Sequence, residues 1–85
     1  MMMVEPKQYL LKRITVDPNI MVGKPVIRGL RITVEQILKA LAGGVNQEDL
    51  LVDYPELERE DIHAVLLYAA ERVEEEHVFL VREGN

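Results

Sequence analysis

Hydrophobic positions follow a helical period in three stretches of the chain, whereas between residues 14 and 32 they fall in short β-branched runs. Ile14-Thr15-Val16 is the first such run, and Asp17-Pro18-Asn19 stops it with turn formers. Val26-Ile27 and Leu30-Arg31-Ile32 flank Arg28-Gly29, a spacing that predicts a small hairpin or a pair of bridges. Thr33 is an N-cap, and Gln36 completes a capping box with it. Val34, Ile37, Leu38 and Leu41 then line one helical face, up to a stop at Gly43-Gly44. Asn46 caps a second helix of about two turns, with Leu50, Leu51 and Tyr54 inward and Pro55 forcing the chain out. The third helix begins near Glu58 or Arg59, with an expected core stripe of Ile62, Val65, Leu66, Ala69 and Val73. Two short helices, a tight turn at Tyr54–Leu57 and a longer helix give the order of a trihelical helix-turn-helix domain. The expected fold is therefore mainly α, with a small N-terminal β hairpin. Its divisions are a lead-in segment at 1–13, the helix-turn-helix domain at 14–76 and a tail at 77–85.

The third helix is apolar on more than one side from Ala64 to Ala70, which predicts burial from two directions. In a chain of 85 residues the simplest second cover is another copy, so Ala64, Leu67 and Tyr68 are expected at a homodimer interface. The alternative is a helix wholly enclosed by its own subunit. With no cysteine, neither disulfides nor thiolate zinc sites are open to this domain, and a reducing, cytoplasmic setting fits. The start carries Glu5 and Pro6 where a secretory signal would have basic and then apolar residues. The longest apolar run, Ala64 to Ala70, is far short of the ~20 residues that cross a bilayer.

Charge divides the chain. Residues 1–42 carry seven cations against three acids, a net +4, and residues 43–85 carry three against twelve, a net −9. Two surfaces with different partners are one reading, and a solvated surface with unequal halves is the other. Were DNA bound, the start of the third helix would be a poor reader, because Glu58, Glu60 and Asp61 repel phosphate. Lys12, Arg13, Lys24, Arg28 and Arg31 are then the expected contacts, against the alternative that Arg28 and Arg31 are solvated or pair with the acidic half of the same chain. Glu74, Glu75 and Glu76, followed by Val78, Phe79 and Leu80, form an acidic patch with apolar anchors, as a protein partner with a basic cleft would require. The alternative is a solvated helix end whose tail packs on its own subunit.

Enzyme chemistry has little to work with. There is no cysteine or serine, and the hydroxyls are Thr15, Thr33 and three tyrosines, so no catalytic residue and no cofactor is expected. Glu60-x-x-His63 and Glu74-x-x-His77 have the spacing of di-iron bundles, but they lie about 21 Å apart on one continuous helix, and no metal site is expected. Gly23-Lys24 lacks the remaining residues of a phosphate loop, and Pro25 removes an amide.

The stretch Arg13-Ile14-Thr15-Val16-Asp17-Pro18, then Gly23-Lys24-Pro25-Val26-Ile27-Arg28-Gly29 and Arg31-Ile32-Thr33-Val34, resembles a family of short prokaryotic proteins known as domain of unknown function 433. So does Asp53-Tyr54-Pro55 followed by Leu57 and Asp61-Ile62, and the resemblance covers about residues 13–75. It implies a homeodomain-like helix-turn-helix protein. It also implies an antitoxin that neutralises a small PIN-type ribonuclease toxin and binds its own promoter as a repressor. The alternatives are a transcription regulator without a toxin, or a dimerisation module that never meets nucleic acid. The family pattern usually has Thr or Ser where this chain has Glu58, which weakens the N-cap by about 1 kcal/mol at most.

Overall fold

A computed structural model describes the backbone of residues 6–83 and the side chains of residues 7–75. The elements in chain order are α1 (Pro6–Leu11), β1 (Ile14–Thr15), a one-turn segment Met21–Gly23, β2 (Val26–Ile27), α2 (Val34–Ala42), α3 (Gln47–Asp53) and α4 (Arg59–Glu83). The domain is mainly helical, with a two-stranded sheet near its N-terminus.

β1 and β2 pair antiparallel, Ile14 opposite Ile27 and Thr15 opposite Val26. The other edge of β2 meets Thr33 in a single bridge, and the Ile27 amide donates to the Ile32 carbonyl at 3.0 Å. The hairpin around Arg28-Gly29 thus exists, but its return arm is cut short where Thr33 turns to capping. Val26 and Ile27, held on both edges, are both fully buried.

Each helix boundary follows from local chemistry. The Thr33 hydroxyl accepts from the Gln36 amide, and the Gln36 side chain accepts from the Thr33 amide, both at 3.0 Å. Two orphan donors are satisfied reciprocally in this way. After α2 the chain reverses at Gly44, whose φ of +99° suits a residue without Cβ. Asn46 caps α3 by accepting from the Asp49 amide at 2.9 Å, and α3 ends at Tyr54, ahead of Pro55. The first turn of α4 is secured from within: the Glu58 amide donates at 2.8 Å to the carboxylate of Asp61.

The core joins Ile27, Ile32, Val34, Ile37, Leu50, Leu57, Ile62 and Val65, with Leu51, Tyr54 and Tyr68 packed against it. Full burial of such a side chain stabilises by about 1.5–3 kcal/mol. α4 is turned away from its expected stripe. Ile62 and Val65 are inside, but Leu66 is 41% exposed and Val73 61% exposed. The face that enters the domain runs through Asp61, Ala64 and Val65, all fully buried, to half-buried Tyr68. That spacing of three, four and seven residues is one helical face, centred on a carboxylate.

α1 packs on α4, where Lys7 pairs with Glu71 at 3.0 Å. At the other end, α4 continues through Glu83, past the expected start of a tail at 77.

Met21, Val22 and Gly23 all have positive φ, and Val22, at 57°, is 93% exposed. A β-branched residue in the left-handed region costs of order 1–3 kcal/mol, and here no burial offsets it. Val22→Asn is expected to stabilise the protein by about 0.5–1 kcal/mol, because asparagine tolerates this conformation. A urea midpoint unchanged or lower than wild type would contradict that expectation.

Candidate functional site

Two surfaces hold the residues singled out by the sequence. The first surrounds Asp61. Its carboxylate is fully buried at the N-terminus of α4. The Arg28 guanidinium meets it side-on, with Nε 3.0 Å from Oδ1 and Nη2 2.9 Å from Oδ2. Arg13 Nη1 donates to Oδ1 at 3.0 Å and to Glu58 at 2.8 Å. Arg28 Nη2 also donates at 2.7 Å to the carbonyl of Glu56, in the turn between α3 and α4. One carboxylate therefore ties the end of the α1 segment, the β2 turn and the α3–α4 junction together.

The turn that delivers Arg28 is unusual. The Leu30 amide donates to the Ile27 carbonyl at 2.8 Å, and the two central residues, Arg28 and Gly29, have φ of 48° and 73°. Positive φ at both central positions is the pattern of a type I′ turn, which prefers Asn or Gly first. The Arg28 amide is fixed by the Arg13 carbonyl at 2.7 Å, and the Gly29 amide by the Thr15 hydroxyl at 3.1 Å. The arginine is thus held in a costly backbone conformation by bonds at both its ends.

Burial pushes the Asp61 carboxyl upward in pKa, but hydrogen bonds from Arg28, the Glu58 amide and Arg13 outweigh it and hold it below the ordinary aspartate range. The hydrogen bonds that Arg13 donates to Glu58 and Asp61 raise its pKa, and those that Arg28 donates to Asp61 raise that of Arg28, so both stay charged. A carboxyl lowered by folding stabilises the fold above its unfolded pKa of about 3.9 and loses that contribution as pH falls through the folded value. The urea midpoint is therefore expected to drop more steeply below about pH 4 in wild type than in Asp61→Asn. Parallel curves for the two proteins would refute this.

Such a carboxylate is a clamp and not a base: it is saturated with donors and closed to solvent. Among the described residues no group of three or more His, Asp or Glu is placed to hold a metal ion, and no helix is long and apolar enough to cross a membrane.

The five residues expected to contact DNA do not form one basic face. Arg13 and Arg28 are committed to Asp61, so that Arg28 takes the alternative of pairing within the chain. Lys24 shares Glu35 with Lys39, each at 3.1 Å, and these three side chains are exposed. Lys12 and Arg31 are exposed, and their side chains make no hydrogen bond or ion pair among the described residues.

The second surface is α4. Ala64, expected at a dimer interface, is buried within its own subunit, and Tyr68 packs against the core with Leu67 half-buried beside it. Among the described residues, the apolar side chains that α4 leaves outside are Leu66, Ala70 and Val73. A groove of ≈ 490 Å³ runs between α2 and α4, walled by Pro25, Val34, Leu38, Tyr68, Ala69 and Val73. Exposed Lys24, Lys39, Arg72 and Glu35 border it. A shallower concavity on the other side of Ala69 and Val73 is lined by Leu66, Ala70 and Glu74. Of the acidic segment expected to bind a partner, Glu74 and Glu75 are exposed, while Glu76, Val78, Phe79 and Leu80 lie outside the described side chains.

Asp61 was missed as the centre of the first site because an acid in the first turn of a helix reads as complementing the dipole. The available signal was its place three and four residues before Ala64 and Val65, on the apolar face.

The family pattern described as "Protein of unknown function (DUF433)" matches residues 14–69. The chain belongs to the DUF433 family. Its match spans both Arg28 and Asp61, so the paired turn and helix start lie within the DUF433 region, whereas Arg13 and α1 precede it. The "Uncharacterized protein y4eO" of Sinorhizobium fredii (strain NBRC 101917 / NGR234) is 36% identical over 56 residues, which are 66% of this chain and 25% of that protein. The chain thus spans about a quarter of that relative's length. The crystal structure of a DUF433 member from Anabaena variabilis ATCC 29413 superposes with a TM-score of 0.70 at 31% identity, over 80% of this chain and 67% of the other. The fold is thus shared, over 80% of this chain, with an experimentally determined DUF433 structure.

Proposed function

We propose that this DUF433 protein is an antitoxin-like binding module whose α4 engages a small PIN-type ribonuclease. The observation that carries the reading is the inward commitment of Arg13 and Arg28. With those two cations on Asp61, the positive field available to phosphate shrinks, while Glu74 and Glu75 stand exposed on α4. An acidic helix complements the positive cleft that a ribonuclease needs to hold RNA. The test is co-expression with a small PIN-type ribonuclease, whose gene this reading expects beside that of the DUF433 protein. Wild type is expected to restore growth, and Glu75→Lys to lose that protection. A toxin as lethal with the protein as without it overturns the reading.

Promoter binding by a helix-turn-helix made of α2, α3 and α4 is the second reading, and exposed Lys12 and Arg31 favour it. Such binding would weaken steeply with salt, by roughly one logarithmic unit of affinity per unit of log salt for each phosphate neutralised.

A further inference from the structure

The exposed strip of α4 has a net positive border on one flank and an acid on the other. Ala69 and Val73 form a ridge shared by the groove and the shallower concavity. On the groove side the border carries Lys24, Lys39 and Arg72, with Glu35 as its acid. On the far side the charged neighbour is Glu74. Arg72 and Glu74 flank Val73 in sequence, so the helix turns them to opposite sides of it. The Arg72 side chain makes no hydrogen bond or ion pair among the described residues.

We infer that this strip is a self-complementary interface on which a second copy of the chain sits, with the two α4 helices side by side and pointing the same way. In a two-fold dimer the same patch meets itself, and the direction of the axis decides which flank faces which. An axis along the ridge exchanges the flanks, bringing Lys39 and Arg72 of one copy to Glu74 of the other. An axis across the ridge runs the helices antiparallel and leaves the cationic flanks facing each other. The charge pattern therefore selects the parallel arrangement, because opposed like charges are disfavoured. Ala69 and Ala70 on the ridge let two backbones approach closely, and Leu66 and Val73 supply the apolar contact. The interface lies one helical face away from Ala64, which the subunit uses for its own core. It does not rest on the toxin reading, because self-association is measured on the isolated protein.

Sedimentation equilibrium of the full chain tests the inference. Wild type is expected to dimerise, and Leu66→Glu/Val73→Glu to raise the dissociation constant roughly thirtyfold or more, the effect of breaking a central hot spot. Val52→Glu, at an exposed apolar position on α3, is the control and is expected to dimerise as wild type does. Arg72→Glu and Glu74→Lys disturb the core less. Each alone is expected to associate weakly, and their mixture to recover a heterodimer. The chain has no cysteine, so single-cysteine variants report direction. In the parallel pair Leu66→Cys and Val73→Cys both oxidise to cross-linked dimers. A wild type that sediments as a monomer overturns the proposal and leaves the strip to another occupant. A dimer that survives Leu66→Glu/Val73→Glu overturns it, and so does cross-linking at no more than one of the two positions.

Discussion

Asp61→Asn is expected to lower the unfolding free energy by about 3 kcal/mol, near the lower end of the cost of breaking a buried ion pair from one side. The substitution keeps the size of the side chain and removes its charge. Its amide group would face the guanidinium of Arg28 or Arg13 donor to donor, and the Glu58 amide would compete for the one oxygen left. The cost stays at the lower end because the two arginines keep some contact with water, their side chains being 18% and 35% exposed, and rehydrate in part. For a domain of this size the melting temperature would fall by roughly 15 °C. Urea unfolding followed by helical circular dichroism measures it. A loss below about 1 kcal/mol would mean that the cluster contributes no more than an exposed pair.

The second large effect belongs to Arg28, where two terms oppose each other. Arg28→Ala removes the two-point contact with Asp61 and the bond to the Glu56 carbonyl, and keeps a Cβ in the left-handed region. Its expected cost is about 2–3 kcal/mol, less than that of Asp61→Asn because Arg13 still serves the carboxylate. Arg28→Gly loses the same contacts and relieves the backbone, so it is expected to be about 1 kcal/mol more stable than Arg28→Ala. The order of the three proteins is the decisive result. If glycine is no better than alanine, the turn is not strained at this residue. If both equal wild type, the side chain contributes nothing.

The elements set by local rules were legible. Thr33 with Gln36, Asn46 ahead of an acidic turn and Pro55 after Tyr54 each fix a helix end through atoms a few residues apart, and each stands where expected. The orientation of α4 was not legible in the same way. Leu66 and Val73 are more apolar than Asp61, so a count of hydrophobic spacing chooses their face. The face that folds inward is chosen instead by two guanidinium groups that arrive from residues 13 and 28 and neutralise an acid in the core. Nothing near Asp61 in sequence announces them. The same cause governs the candidate surfaces. Arg13 and Arg28 read as available cations as long as their partner is unknown. Ala64 reads as an interface residue as long as α4 is taken to turn another way.

The Asp61 cluster also has a consequence for the time course of folding. Its side-chain bonds join residues 33, 45 and 48 positions apart, against spans of three for the capping bonds of α2 and α3. Contacts so distant along the chain form only after large loops have closed, so helices arise first and the latch engages afterwards. A bond made after the folding barrier has been crossed does little for the rate of folding, and its loss appears almost wholly as faster unfolding. The clamp is therefore expected to set how long the native molecule persists once formed, with Asp61→Asn speeding unfolding more than it slows folding.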